Sequence, residues 1–329
     1  MLPAAPENDT RRPNLKRHVF LLVLGLALFG LLAYFGGIEG LRQLGRLRLV
    51  PLAGVLATTL GITALTALRW GMLVEAMAGR RVASWLAYYR YFVVSRALGF
   101  VLPKDLTDLG GRTLWVYKGH DVALTQAGGS VLLDRLFDVL VSALFLLAVL
   151  PYWLGLIGAT VSLLLMLGLA GLMGVLFMVT DERFVAWSFA VANKGIALLY
   201  RLPGLRRRTP QRLAVQGLSP TLMLRAYGYS VVKFGFAVGR FICIALAVGL
   251  PIPPVLFLMG MPLGQFSYLV AFTPGGLGIF EAGWFAILSV GSVPTEAVSL
   301  FLVAQRVLIL VAILIFALIS QGIYMLRVK

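Results

Sequence analysis

Long apolar runs recur along the whole chain and constrain its fold more than any other feature. A helix that crosses a bilayer needs about 20 mostly apolar residues. Six runs reach that length, at 19–38, 51–77, 131–150, 155–179, 222–249 and 298–325. With 60% hydrophobic and only 13% charged residues, the chain has more apolar surface than a soluble domain of its length could bury. The runs predict an all-α polytopic membrane protein with no room for a soluble catalytic domain.

Two further apolar runs are only just long enough to cross a bilayer. Runs 84–101 and 255–272 each stop shortly before a proline and a pair of glycines, at Pro103 and at Pro274. Broken helices are tolerated at membrane depth where protein or a water-filled cavity covers the freed backbone groups. We therefore predict two re-entrant hairpins beside six crossings, and about six to eight transmembrane helices if the marginal runs also cross.

Basic residues set the predicted orientation. The net charge is +16, and the basic residues cluster beside apolar runs, as the positive-inside bias requires. This bias places the N-terminus 1–18, the arginine-rich segment 201–212 and the tail 326–329 in the cytoplasm, around one transmembrane domain over 19–325. We predict a multi-pass protein of a bacterial inner membrane. We expect no nucleic-acid partner, because membrane topology already accounts for the charge.

An internal repeat divides the transmembrane domain. Three residue pairs recur at one offset of 171 residues: Arg69 with Arg240, Pro103 with Pro274, and Arg135 with Arg306. The same shift lays 51–150 over 222–321, so these ranges are predicted pseudo-repeats. In the predicted topology the paired spans point in opposite directions, which is the inverted-repeat plan of many transporters. The binding site of such transporters lies near the midplane, between broken helices.

The sharpest local motif is a proline- and glycine-rich stretch that ends one apolar run and begins another. It contains Pro274, Gly275, Gly276 and Gly278, and Glu281 follows about one helical turn later. The first turn of the new helix would expose unpaired N–H groups at a positive dipole end, which suits an anion such as a lipid phosphate. The alternative is a glycine-rich turn between two short spans, with Glu281 as a solvated cap.

A second group of charged residues surrounds the start of run 131–150. It comprises Asp108 and Arg112, followed by Asp134, Arg135 and Asp138. Asp134 and Asp138 are four residues apart and share a helix face, so one of them could pair with a nearby arginine. We consider Arg112, Arg240 and Arg306 as partners. The alternative is that Asp134 and Arg135 only anchor the helix at the cytoplasmic interface.

Further basic residues lie within the apolar runs themselves. They are Arg90, Arg96, Lys233, Arg240 and Arg306. Ionisable residues inside a membrane are costly and persist when they are paired or face a cavity, so we predict that these residues contact substrate. Their positive excess favours an anionic cargo over a cationic one.

The Pro-Gly-Gly-Leu-Gly-x-x-Glu-Ala string at 274–282 and Asp134-Arg135 resemble a known family. So does the stretch from Pro103 to Arg112. Together they look like the lysylphosphatidylglycerol synthase transmembrane region, also called the flippase-like domain family. The resemblance covers roughly 19–325. The sequence contains no soluble aminoacyl-transferase domain, so the resemblance implies only translocation of a lipid or a lipid-linked glycan precursor between leaflets.

The sequence thus predicts a lipid translocase and leaves its cargo open. The candidate cargoes are an anionic phospholipid, a polyprenyl-phosphate-linked sugar and a hopanoid-type lipid, and an envelope-lipid synthesis enzyme is a candidate partner. We expect no enzymatic activity, since no nucleophile–base pair is evident. We also expect no cofactor or metal, since Cys243 is the only cysteine and the chain has two histidines. The alternatives are a secondary transporter that uses Asp134, Asp138 or Glu281 as a proton relay, and a non-transporting partner of an envelope-lipid enzyme.

Overall fold

Helices form all of the regular secondary structure in the part of the chain that the structure describes. The structure, a computed structural model, describes residues 47–100, 106–179, 194, 218–270 and 278–328. Within these ranges there is no strand, and five helices are long and apolar enough to span a bilayer. This confirms the predicted all-α polytopic membrane protein. The helices are α1 (Leu49–Ala78), α2 (Trp85–Leu98), a π-helix (Leu106–Gly111) that continues into α3 (Arg112–His120), α4 (Leu124–Trp153), α5 (Ala159–Val179), α6 (Pro220–Ala247), α7 (Pro254–Val270), α8 (Ile279–Val290) and α9 (Thr295–Val328).

Five of the six long apolar runs correspond to the spanning helices α1, α4, α5, α6 and α9. The sixth run, 19–38, and the basic N-terminus lie outside the described residues. The two marginal runs form α2, with 14 residues, and α7, with 17. At 1.5 Å per residue these helices are about 21 and 26 Å long, which is less than the hydrocarbon thickness of about 30 Å. As described, both are shorter than the spanning helices, and the re-entrant hairpins stay a prediction. The segments that hold Pro103 and Pro274 lie outside the described residues.

Helix boundaries repeat along the chain at the offset found in the sequence. α1 begins at Leu49 and α6 at Pro220, while α4 begins at Leu124 and α9 at Thr295. Both pairs of first residues are 171 positions apart. The short helices α2 and α7 occupy corresponding places between them. We therefore call the part from α1 to α4 the first half and the part from α6 to α9 the second half.

The first helices of the two halves, α1 and α6, pack side by side in opposite directions. Near the start of α1, a Cβ on Gly54 would lie 2.7 Å from Cys243 Sγ, and further along Arg69 donates a hydrogen bond to Ser230. Residue numbers rise along α1 as they fall along α6, so the two helices are antiparallel. Small residues at such crossings let membrane helices approach closely. An inverted repeat requires this opposite direction of its paired helices.

The two short helices, α2 and α7, pack across the boundary between the halves. α2 packs against α9, where Phe316 packs against the buried cluster that contains Tyr89 and Phe92. In the same manner α7 packs against α4, and the indole N–H of Trp153 donates to the carbonyl of Met259 at 2.9 Å. Each short helix therefore rests on the last long helix of the other half. This arrangement encloses a space between the halves.

The pair formed by α7 and α8 is held together by one tryptophan. Trp284 on α8 is completely buried, and its ring lies 4.8 Å from that of Phe241 and 6.1 Å from that of Phe257. Two glycines on α7 make room for the indole. A Cβ on Gly264 would lie 2.5 Å from Trp284 Nε1, and one on Gly260 would lie 3.2 Å from the same ring.

Replacing Gly264 with alanine is therefore expected to lower the unfolding free energy by about 1–3 kcal/mol, since overpacking displaces a large buried ring. The measurement is the melting temperature of the purified protein in detergent. Gly235→Ala on α6 is the matched control, because nothing lies within 4 Å of the added methyl group. That control should be neutral or stabilising by up to about 1 kcal/mol. Equal melting temperatures for the two variants would contradict this packing.

Candidate functional site

A cavity of about 270 Å³ lies between the two halves. Its lining includes side chains from α1, α2, the π-helix, α3, α4, α6, α7, α8 and α9. Among the described residues that line it are six basic side chains and two carboxylates: Arg96, Arg112, Arg135, Lys233, Arg240 and Arg306, with Asp134 and Asp138. The described lining therefore has an excess of four positive charges. Such a wall attracts an anionic group and repels a cation.

Asp134 on α4 is the centre of a buried network of ion pairs. Its carboxylate accepts a hydrogen bond from Arg69 Nε at 2.6 Å and another from Arg112 Nη1 at 3.0 Å. Both arginine side chains are only 1% exposed. The Arg112 guanidinium also lies 5.1 Å from the ring centroid of Trp70, a cation–π contact. Because a buried charge is costly unless it is paired, Asp134 makes it possible to bury both arginines.

Asp138 extends this network into the second half. It accepts a hydrogen bond from Arg69 Nη1 at 2.7 Å and a second, close one from Lys233 on α6. Its side chain is 34% exposed and lines the cavity, in contrast to the buried Asp134. Of the arginine partners that the sequence suggested, only Arg112 pairs with either carboxylate in a described contact. Arg69, noticed in the sequence only as a repeated residue, binds both.

One wall of the cavity is a polar stripe on α4. Asp134, Asp138 and Ser142 follow each other at one-turn intervals, and all three line the cavity. Ser142 is in close hydrogen-bond contact with Gln265 of α7. The stripe therefore contacts the second half through both α6 and α7. We call these three residues the polar wall.

The opposite half contributes a different wall at the corresponding positions of α9. Residues 171 positions after the polar wall are Gln305, Ile309 and Ile313, and these three also line the cavity. We call them the α9 wall. Arg306, next to Gln305, lines the cavity as well. The cavity lining is therefore amphipathic, because it combines the ionic groups of the polar wall with the two isoleucines of the α9 wall.

Glu281 forms an ion pair with Arg306, one of the cavity arginines. It is completely buried, its carboxylate accepts the backbone N–H of Gly278 at 2.8 Å, and it pairs with Arg306 Nε at 2.5 Å. Gly278 precedes α8 with a φ of 82°, a conformation that glycine adopts at little cost. Glu281 is not among the side chains that line the cavity. It caps α8 and positions Arg306 instead.

The other predicted site residues divide into three groups. Arg96, Arg135 and Arg240 lie in the cavity lining, together with the charged residues described above. Arg90 lies outside the lining, where its guanidinium stacks 3.4 Å from the ring centroid of Tyr324 on α9. Asp108 belongs to the π-helix, but its side chain is outside the described part of the structure, as are all of Pro274, Gly275 and Gly276.

Several cavity residues were not predicted from the sequence. Ser142 could have been found by continuing the four-residue spacing of Asp134 and Asp138. Gln305 could have been found by applying the repeat offset to Asp134. Gln265 and the pairing of Arg69 had no sequence signal, because they depend on which helices are neighbours.

The fold and this cavity define a polytopic helical membrane protein with a cationic chamber between two related halves. The family model described as the lysylphosphatidylglycerol synthase TM region matches residues 19–317. The match covers most of the chain, so the protein belongs to this family, which confirms the resemblance found in the sequence. It is a multi-pass membrane protein related to lipid metabolism or lipid flipping. No curated protein and no solved structure matches the chain.

Proposed function

We propose that this protein is a lipid translocase that moves an anionic lipid or lipid-linked precursor between the leaflets of a bacterial inner membrane. The observation that carries the proposal is the cavity between the two halves, with six basic side chains against two carboxylates in its described lining. Both carboxylates already pair with basic residues of the protein. The described lining as a whole keeps a positive excess, which favours a negatively charged headgroup.

The two walls suit an amphiphilic cargo. The polar wall on α4 offers hydrogen-bonding groups to a headgroup, while Ile309 and Ile313 offer apolar surface to the part of the lipid that follows it. A small water-soluble solute would gain nothing from contact with these two isoleucines. This contrast favours a lipid over the solute of a secondary transporter.

Polar contacts between the two halves mark the interface at which one half would move against the other. Arg69 with Ser230, Asp138 with Lys233, and Ser142 with Gln265 all join the first half to the second. In the proposed cycle, a rocking of one half against the other changes which leaflet has access to the cavity. The three polar contacts would break and form again during that motion.

The proposal includes the location and the partners expected from the sequence. The N-terminus is cytoplasmic, the protein acts as a carrier rather than as an enzyme, and it needs no cofactor. Its cargo is an anionic phospholipid, a polyprenyl-phosphate-linked sugar or a hopanoid-type lipid. An envelope-lipid synthesis enzyme is the partner that would supply or consume that lipid.

The test is lipid movement in liposomes that contain the pure protein. Fluorescent phosphatidylglycerol and a fluorescent polyprenyl-phosphate sugar are each compared with empty liposomes. We expect the protein to accelerate movement of one of them, and Arg240→Gln to slow it at least about tenfold, because a charged hydrogen-bond donor in the cavity is lost.

Arg225→Gln is the matched control for this test, since Arg225 lies on the same helix α6 but is exposed and outside the cavity lining. It should keep the wild-type rate. If the folded protein moves neither lipid, the translocase proposal fails for these cargoes. Co-purification of an envelope-lipid enzyme would then favour the role of a non-transporting partner.

A further inference from the structure

The two halves of the cavity differ at one pair of corresponding positions. Asp134 in the first half and Gln305 in the second are 171 residues apart, both line the cavity, and each is followed by an arginine. In the first half, Asp134 supplies a negative charge to Arg69 and Arg112. In the second half, Arg240 stands at the position of Arg69, but the residue at the position of Asp134 is a neutral amide.

Gln305 has a hydrogen-bond donor that the described residues do not satisfy. Its side chain belongs to the cavity lining although the residue is only 2% exposed. Its amide nitrogen Nε2 has no hydrogen-bond partner among the described residues. A buried donor of this kind costs about 1–3 kcal/mol when it is unsatisfied. An acceptor oxygen within the cavity would remove that cost.

From these observations we infer that Gln305 is part of a phosphate site, which takes the phosphate group of the lipid headgroup. The phosphate lies against Gln305 and Arg306, at the position in the second half that corresponds to Asp134 in the first half. The inference rests on the proposed function and deepens it, because it assigns the anionic group of the cargo and a residue that selects it.

The order of residues along α9 agrees with this placement. Ile309 and Ile313 lie about 6 and 12 Å beyond Gln305 on the same helix face. Both line the cavity. A phosphate at Gln305 would thus have apolar surface next to it, further along α9. This order matches a lipid whose hydrocarbon chain follows its phosphate group.

The first test replaces Gln305 with glutamate, which places a carboxylate where the first half has Asp134. Gln305→Glu changes the size of the side chain very little but fills the site with a negative charge. The probe is dihexanoyl phosphatidylglycerol, and its binding to the full-length protein in detergent is measured by calorimetry. We expect the affinity to fall at least about tenfold, because the new carboxylate repels the phosphate.

Gln321→Glu is the matched control, since Gln321 lies on the same helix but outside the cavity lining. Its affinity for the probe should change less than about twofold, because the added charge lies away from the cavity. An affinity of Gln305→Glu equal to that of the wild type would overturn the inference.

The second test uses Gln305→Leu and remains decisive if the glutamate variant does not fold. Because the amide nitrogen has no described partner, its removal should leave the melting temperature unchanged or raise it. Binding of the probe should nevertheless weaken at least about tenfold. A lower melting temperature together with unchanged binding would show a purely structural glutamine and would overturn the inference.

Two further probes separate the sources of the phosphate group. A phosphate-free glucosyl diacylglycerol of the same chain length should bind weakly, and equally to the wild type and to Gln305→Leu. Inorganic phosphate should also bind more weakly than the phospholipid. Inorganic phosphate that binds as tightly as the phospholipid would overturn the assignment to a lipid.

The liposome assay distinguishes failure of this inference from failure of the proposed function. Normal lipid movement by Gln305→Glu would overturn the phosphate site and leave the translocase intact. Conversely, the wild-type protein could bind the phospholipid through Gln305 and yet move no lipid. In that case the phosphate site would stand and the translocase would fail.

Discussion

Replacing Asp134 with alanine is expected to lower the unfolding free energy by about 3–5 kcal/mol, the usual result of breaking a buried ion pair from one side. The variant leaves Arg69 without its buried carboxylate partner and removes the described ion pair of Arg112, and both arginines are almost completely buried. The measurement is the melting temperature in detergent, together with the yield of monodisperse protein. With the largest loss expected here, much of the variant should fail to accumulate.

Asp138→Ala is the matched control for this prediction. Asp138 lies one helical turn further along α4 and also pairs with Arg69, but 34% of its side chain is exposed to the cavity. Arg69 keeps its bond to Asp134 in this variant, and Lys233 can be hydrated from the cavity. We therefore expect a clearly smaller loss of stability than for Asp134→Ala. Equal losses in the two variants would contradict the central role of Asp134.

Replacing Glu281 with alanine is expected to have the second largest effect, a loss of about 3–5 kcal/mol accompanied by loss of lipid movement. One substitution removes the acceptor for the Gly278 N–H and the described carboxylate partner of Arg306. The variant therefore tests stability and the placement of a cavity arginine together. Melting temperature in detergent and lipid movement in liposomes are measured on the same preparation.

Glu296→Ala provides the control, because Glu296 also lies in the first turn of an α-helix but is exposed. It should cost no more than about 1 kcal/mol, the ordinary value of a carboxylate at a helix N-terminus. The double variant Glu281→Gln with Arg306→Gln removes both charges at once. It should recover most of the stability and still move no lipid. Recovery of lipid movement would show that Arg306 has no role in cargo binding.

The class of the fold follows from the sequence because the signal for it is local. A run of about 20 apolar residues must form its own backbone hydrogen bonds in a membrane, and a helix does so within one segment. For that reason α1, α4, α5, α6 and α9 lie where the apolar runs predicted them. The offset of 171 residues could also be read directly, since it compares the sequence only with itself.

The composition of the site was partly predictable, because charged residues in apolar runs are rare enough to stand out. Arg90 shows the limit of that argument. On α2 the cavity-lining residues Phe92, Ser95 and Arg96 lie at three- and four-residue intervals and share one face. Arg90 precedes Phe92 by two positions, which turns it to the far side of the helix, toward Tyr324.

Only the tertiary structure shows which charged and polar side chains pair with one another. Arg69 and Asp134 are 65 residues apart, and their ion pair exists because α1 packs against α4. Glu281 pairs with Arg306 without lining the cavity, and the uncharged Gln305 was not among the predicted site residues. The sequence by itself determined the spans, the repeat and the positive excess, because each depends on neighbours along the chain. The pairing of charges and the meeting of the two unlike walls in one cavity depend on contacts between helices that are far apart along the chain, so only their packing could reveal them.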